Sequence, residues 1–176
     1  DDSAPVAFTA NVSNDGARQS SGWRSGVGLE WWEPFAQGDR LALSWLTDPE
    51  DPSQMSAYSM QYVGESSENF DWLAFAGYST SEYDNVVSSA DLDVAGDGLH
   101  LGFAATRMLR KSMGDSLAVS FGLTYLNVSN SMTFYGSSYS DESLALFLPR
   151  LGLQGTFNSA SGLPGKTFWT AGILSD

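Results

Sequence analysis

Hydrophobic positions along this chain recur every second residue. Leu117, Val119, Phe121, Leu123 and Tyr125 alternate with Ala118, Ser120, Gly122 and Thr124. Leu99, Leu101 and Phe103 alternate with His100, Gly102 and Ala104. Leu41, Leu43 and Trp45 alternate with Arg40, Ala42 and Ser44, and Trp23, Val27, Leu29 and Trp31 oppose Arg24, Gly26, Gly28 and Glu30. Helical geometry would scatter these apolar residues around the whole circumference, whereas a strand collects them on one face. The pattern predicts nine strands, over 5–13, 22–33, 39–47, 56–64, 70–80, 98–110, 116–128, 143–156 and 166–174.

Turn-forming residues separate the strands at 13–16, 36–39, 65–69, 111–115 and 158–165. With regular spacing and no long helical pattern, the expected fold is all-β, an antiparallel meander. Pro149 lies inside the eighth strand and lacks a ladder donor, so a bulge or a strand boundary is expected there. No repeat or linker divides the chain, and residues 1–176 read as one domain.

Two asymmetries give the meander a setting. Connections near 34–38, 65–69, 111–115 and 157–165 are mostly short, whereas those at 14–21, 48–55, 81–97 and 129–142 are mostly longer and polar. Short turns on one side and long loops on the other are the habit of outer-membrane barrels. The faces agree, because one carries small, polar or charged residues that would make a poor dry core. Arg24, Glu30, Arg40, Ser44, Gln61 and His100 fall on that face and are expected to line a lumen. The other face is apolar, with aromatics near the strand ends, and Trp23, Trp31, Trp45, Trp72 and Tyr125 are expected at the membrane interfaces.

Composition narrows the function. Of 176 residues, 42% are hydrophobic and 16% charged, which is not the balance of a disordered chain. Cysteine is absent, so thiol catalysis and cysteine-based zinc sites are excluded. A net charge of −13 repels phosphate backbones and excludes nucleic acid as a partner. Seventeen acids and three bases lie before Arg107, against four acids and five bases from there onward. No apolar run is long enough for a membrane helix, which leaves membrane strands open. Asp1-Asp2-Ser3 shows no secretory signal, so the expectation is a processed or partial chain.

Candidate chemistry is sparse. His100 can be read as a pore-facing group. Asp91, Asp93 and Asp97 with Gly96 and Gly98 faintly suggest a calcium loop but lack EF-hand spacing, and a solvated loop is expected. Glu30 and Glu33 have opposite parity and do not converge as an acid–base pair. No nucleophile elbow or phosphate loop occurs. The expectation is therefore no enzyme, no cofactor and no metal.

Several segments carry a family resemblance. Val12-Ser13-Asn14-Asp15-Gly16, Gly22-Trp23-Arg24-Ser25-Gly26, and the run from Glu33 through Pro34, Phe35, Ala36, Gln37, Gly38, Asp39 and Arg40 to Ser44 stand in order. They resemble the start of the barrel in two-partner secretion transporters, the haemolysin-activator (TpsB-type) family. Tyr58 to Tyr62 resembles the Tyr-containing strand that follows, and Gly102 to Ser112 a later strand ending in a basic turn. Glu33 stands where the family has Asn, and Ala36 where it has Gly.

The resemblance implies an outer-membrane barrel that passes a secreted polypeptide partner passively, with membrane lipid around it. Nine strands would be about half of a sixteen-stranded barrel, so a partial chain is expected. The first and last strands should then be edges that pair with further sequence or with another copy. Two alternatives remain open at this point. One is a secreted structural protein that self-assembles through its sheet edges, and the other is a small soluble ligand-binding barrel.

Overall fold

A computed structural model describes residues 5–15, 22–67, 69–84, 86, 91–112, 115–158 and 166–174. They form one nine-stranded sheet in sequence order: β1 (Val6–Ser13), β2 (Arg24–Trp32), β3 (Arg40–Thr47), β4 (Met55–Ser67), β5 (Phe70–Tyr83), β6 (Leu92–Ser112), β7 (Asp115–Phe134), β8 (Ser137–Asn158) and β9 (Lys166–Leu174). Every neighbouring pair is antiparallel. Each strand contacts only its sequence neighbours, so β1 and β9 do not meet and the described sheet is open. The number and order of strands follow the alternation in the sequence.

The strands differ from expectation in length. The segments 81–97 and 129–142, expected as loops, are largely strand: β5 runs on to Tyr83, β6 begins at Leu92, and β7 and β8 meet across Phe134 and Ser137. Ladder pairs such as Val94↔Met132 and Ala95↔Ser131 continue through this polar region. Its Ser, Thr, Val and Tyr residues suit extended backbone whether or not one face is apolar. The connecting turn has Tyr135 and Gly136 both at positive φ, 48° and 71°. This is the geometry whose twist matches a two-residue hairpin. The expected turns at 13–16, 65–69, 111–115 and 158–165 lie partly outside the described residues.

Pro149 produces neither a bulge nor a boundary. It pairs with Leu123 in an unshifted stretch of the β7–β8 ladder. Tyr135 N–H donates to Asp91 O at 2.7 Å, which puts the odd residues of β7 in hydrogen bond with β6. Antiparallel alternation then bonds the even residues of β7 to β8, and Leu123↔Pro149 is a non-hydrogen-bonded pair. The missing N–H of Pro149 therefore points away from β7, beyond the last described pair with β9, Arg150↔Leu174. A proline is tolerated in a strand on such a side.

Two connections are built in detail. Between β2 and β3 the chain turns at Glu33 (φ 57°) and Gly38 (φ 86°). Glu33 N–H donates to Asp39 O at 2.7 Å, and the Glu33 carboxylate accepts the Gly38 N–H at 3.3 Å. Asn and Gly reach the left-handed region most easily, so Glu33 holds a backbone conformation that Asn would adopt with less strain. Between β3 and β4, Asp48 is 1% exposed, and its carboxylate accepts the N–H of Glu50 at 2.9 Å and of Asp51 at 3.4 Å. Thr47 donates to Met55 O at 2.9 Å and Ser56 to Pro52 O at 2.9 Å, which closes the loop. At the surface of this loop the Ser53 hydroxyl and N–H hold Asp51 below the usual carboxylate range.

Candidate functional site

Register fixes which residues share a face. Phe8, Leu29, Leu43, Met60, Ala76, Leu101, Tyr125 and Phe147 form one row across eight strands. The row on one side of it holds Trp31, Leu41, Tyr62, Ala74, Phe103 and Leu123, and the row on the other holds Val27, Trp45, Tyr58, Tyr78 and Leu99. All of these lie on one apolar face. The band drifts along the strands: in the last row β7 places Asn127, while on the opposite side β7 and β8 extend it to Val119 and Leu153. An oblique apolar band is what tilted barrel strands require.

The apolar face is open to its surroundings. Phe8 is 80% exposed and Phe147 61%. Among the described residues, Ala118 at 2% exposure is the one buried hydrophobic residue. Each large apolar side chain left in water forgoes about 1.5–3 kcal/mol. Among the described residues the apolar exposure is concentrated on one continuous face, an arrangement that water does not favour.

Aromatic residues border the band. On the short-turn side, ring centroids follow one another from Trp31 to Phe35 (6.3 Å), Tyr62 (5.8 Å), Trp72 (4.9 Å) and Phe103 (6.1 Å). The Tyr62 hydroxyl donates to the buried Asp39 carboxylate, which ties this belt to the β2–β3 turn. On the long-strand side, Trp45 and Tyr58 stack at 6.2 Å, and Tyr125 closes the band on β7 just before Asn127. Trp23 lies immediately before β2 and is exposed. Of the expected interface aromatics, Trp31, Trp45, Trp72 and Tyr125 thus share the apolar face, and Trp23 lies outside the ladder.

The six expected lumen residues share the opposite face. Glu30 and Gln61 fall on one row, through Ala42. Ser44 and His100 fall on the next, through Ser59 and Gly77, and the Ser44 and Ser59 hydroxyls are 2.6 Å apart. Arg24 and Arg40 sit towards opposite ends of this face, paired with Ser13 and Trp32. His100 packs edge-on against Phe75 at 4.8 Å, and Phe75 lies over Gly102, where a Cβ would stand 2.0 Å from the ring.

Other candidates take different places. Glu33 is engaged in its own turn, while Glu30 stays on the sheet. Asp93 and Asp97 are strand residues of β6 opposite Thr133 and Ser129, on the apolar-face parity beyond the band, not in the expected loop. The sequence reading missed the Asp39–Tyr62 tie and the buried Asp48. It also missed that the second face turns apolar on β7 and β8, through Leu126, Val128, Leu144, Leu146 and Leu148. The signal for the last was present, because 144–148 is apolar at every position.

An open antiparallel sheet with an oblique exposed apolar band, aromatic borders and a reverse side that is mostly small or polar from β2 to β6 has the pattern of a wall of an outer-membrane β-barrel. Residues 1–134 match the family described as haemolysin secretion/activation protein ShlB/FhaC/HecB. The chain belongs to this family, whose members are transporters of the bacterial outer membrane in two-partner secretion, and it is an outer-membrane protein. Among solved structures, CdiB from Acinetobacter baumannii has a similar fold, with a TM-score of 0.55 and 13% identity, covering 96% of this chain and 31% of that one. The chain thus spans about a third of the length of that protein. No curated protein matches the sequence.

Proposed function

We propose that these nine strands act as one wall of a barrel through which a secreted partner polypeptide crosses the outer membrane. The observation that carries this reading is the division of the sheet into an exposed apolar face and a face that is mostly small or polar from β2 to β6. Arg24, Glu30, Arg40, Ser44, Gln61 and His100 then line the pathway. Their hydroxyl, amide and scattered charged groups exchange hydrogen bonds with a passing extended chain, and the chain moves without covalent chemistry. Trp31, Trp45, Trp72 and Tyr125 anchor the wall at the two interfaces, with Trp23 beside the outer one. Membrane lipid covers the apolar face, and no cofactor, metal or catalytic group is assigned.

Nine antiparallel strands leave the two outermost strands parallel, whereas bacterial barrels use even numbers. The edges β1 and β9 therefore pair with further strands in the assembled barrel. The same open edges support a second reading, in which two copies pair edge to edge.

These 176 residues contain no cysteine, so a thiol introduced here is the only one in this wall. Single-cysteine variants at Ser44, Gln61 and His100 should react with a hydrophilic maleimide in intact outer membranes. A bulky adduct there should cut secretion of the partner at least about tenfold, equivalent to about 1.4 kcal/mol. Cysteines at Leu43, Met60 and Leu101 should stay unlabelled. Labelling of the second set with sparing of the first would overturn the assignment of faces.

A further inference from the structure

The apolar face is not a smooth wall. A groove of ≈ 600 Å³ crosses it, from Phe8 on β1 to Leu99 on β6. Its depth has a local cause. Ala76 shares a row with Met60 and Leu101, and its single methyl leaves a notch among longer side chains. The stacked Trp45 and Tyr58 rings, with Tyr78, raise one wall of the notch. Six strands at about 4.8 Å spacing make the groove about 24 Å long.

Resting on the reading that this face meets lipid, we infer that the groove is a specific seat for one acyl chain of an outer-membrane lipid. Three observations choose this occupant. Every large side chain that lines the groove belongs to the apolar band, and the other lining residues, Gly28, Ser44, Ser59 and Gly77, have the opposite parity. It crosses six strands, a length that suits an extended hydrocarbon chain. Its lining is overwhelmingly apolar, and its Trp45–Tyr58–Tyr78 wall carries two ring hydroxyls that can meet the glycerol or sugar region of the same lipid. A chain seated there exchanges loose annular contact for contact with fixed walls on several sides, and fixed contact is what makes one lipid distinct from its neighbours.

The test uses the full-length protein in lipid nanodiscs containing phospholipid brominated on the acyl chain, with one tryptophan retained at a time. Trp45 lines the groove, and Trp31 borders the same face outside it. Trp45 should be quenched at about tenfold lower bromolipid mole fraction than Trp31, the ratio of a seat favoured by about 1.4 kcal/mol. Ala76→Phe, which fills the notch, should abolish that difference. Ala74→Phe, on the same strand and face but outside the groove, should leave it intact. Equal titration of Trp45 and Trp31 in the wild-type protein would overturn the seat while leaving the lipid-facing assignment in place. Quenching of neither would overturn that assignment itself. Native mass measurement after extraction should show one retained lipid, and a retained second copy of the chain would also overturn the seat.

Discussion

Strands β2 and β3 hold nine and eight residues, whereas β6, β7 and β8 hold 21, 20 and 22. At about 3.3 Å per residue and a tilt near 45°, eight residues rise about 19 Å and twenty about 47 Å, against an apolar band about 25 Å tall. The first region is therefore little more than membrane wall, and its β3–β4 connection is a folded loop held by Asp48. The second region carries the wall and then continues as a ladder beyond it, up to the tight turn at Tyr135-Gly136. Apolar alternation reports only the part of a strand that lies in lipid. Past the band the ladder continues on backbone hydrogen bonds and extended propensity, and the side-chain period vanishes.

The largest effect should come from placing charge on each face at one level of the wall. Leu101→Arg should lower unfolding stability in lipid vesicles by about 2–4 kcal/mol, the midplane cost of Arg on a barrel's lipid face. His100→Arg, one residue away on the polar face, should cost less than about 1 kcal/mol. Denaturant titration of folded mobility on gels measures both, and equal costs would erase the distinction between faces.

The second test compares the two connections. Asp48→Ala removes the acceptor of the part-buried Glu50 and Asp51 N–H groups and should cost about 1–3 kcal/mol. Tyr135→Ala, at an exposed tip, should change stability by less than about 0.5 kcal/mol. A neutral Asp48→Ala would mean that the β3–β4 loop is no more rigid than the distant turn.

The smallest effect concerns the two left-handed residues that are not glycine. Glu33→Asn and Tyr135→Asn should each stabilise by up to about 1 kcal/mol, since Asn enters this region with less strain. At Glu33 the loss of the carboxylate's bond to Gly38 N–H offsets part of that gain. The stabilisation should therefore be larger at Tyr135, and the reverse order would show that the Glu33 hydrogen bond outweighs the backbone strain.

Strand number, order and face were legible because period two forces each side chain to one side. The faces of Ser44, Gln61 and His100 followed from parity alone. Two kinds of feature were hidden. The outer parts of β6–β8 carry Ser, Asn and Asp on both faces, which reads as loop in any local window. A Tyr-Gly pair also does not advertise a two-residue hairpin as Asn-Gly would. Contacts such as Asp39–Tyr62 join residues 23 apart in sequence, and only the pairing of β3 with β4 brings them together. Pro149 misled for a related reason: its cost depends on which neighbour its nitrogen faces, and composition does not carry that.

The scarcity of buried hydrophobic residues among those described also bears on how such a chain changes over generations. In a water-soluble domain each core residue is fitted to its neighbours, so a change of volume at one place demands an answer at another. On this sheet many large apolar residues are exposed, and in the proposed barrel they face a fluid that reshapes itself around whatever is presented. Leu, Val, Phe and Met can replace one another there with little consequence for the rest of the molecule. Selection then acts on the class of residue at alternate positions and leaves its identity free to drift. A fold can in this way be shared at 13% identity with a TM-score of 0.55.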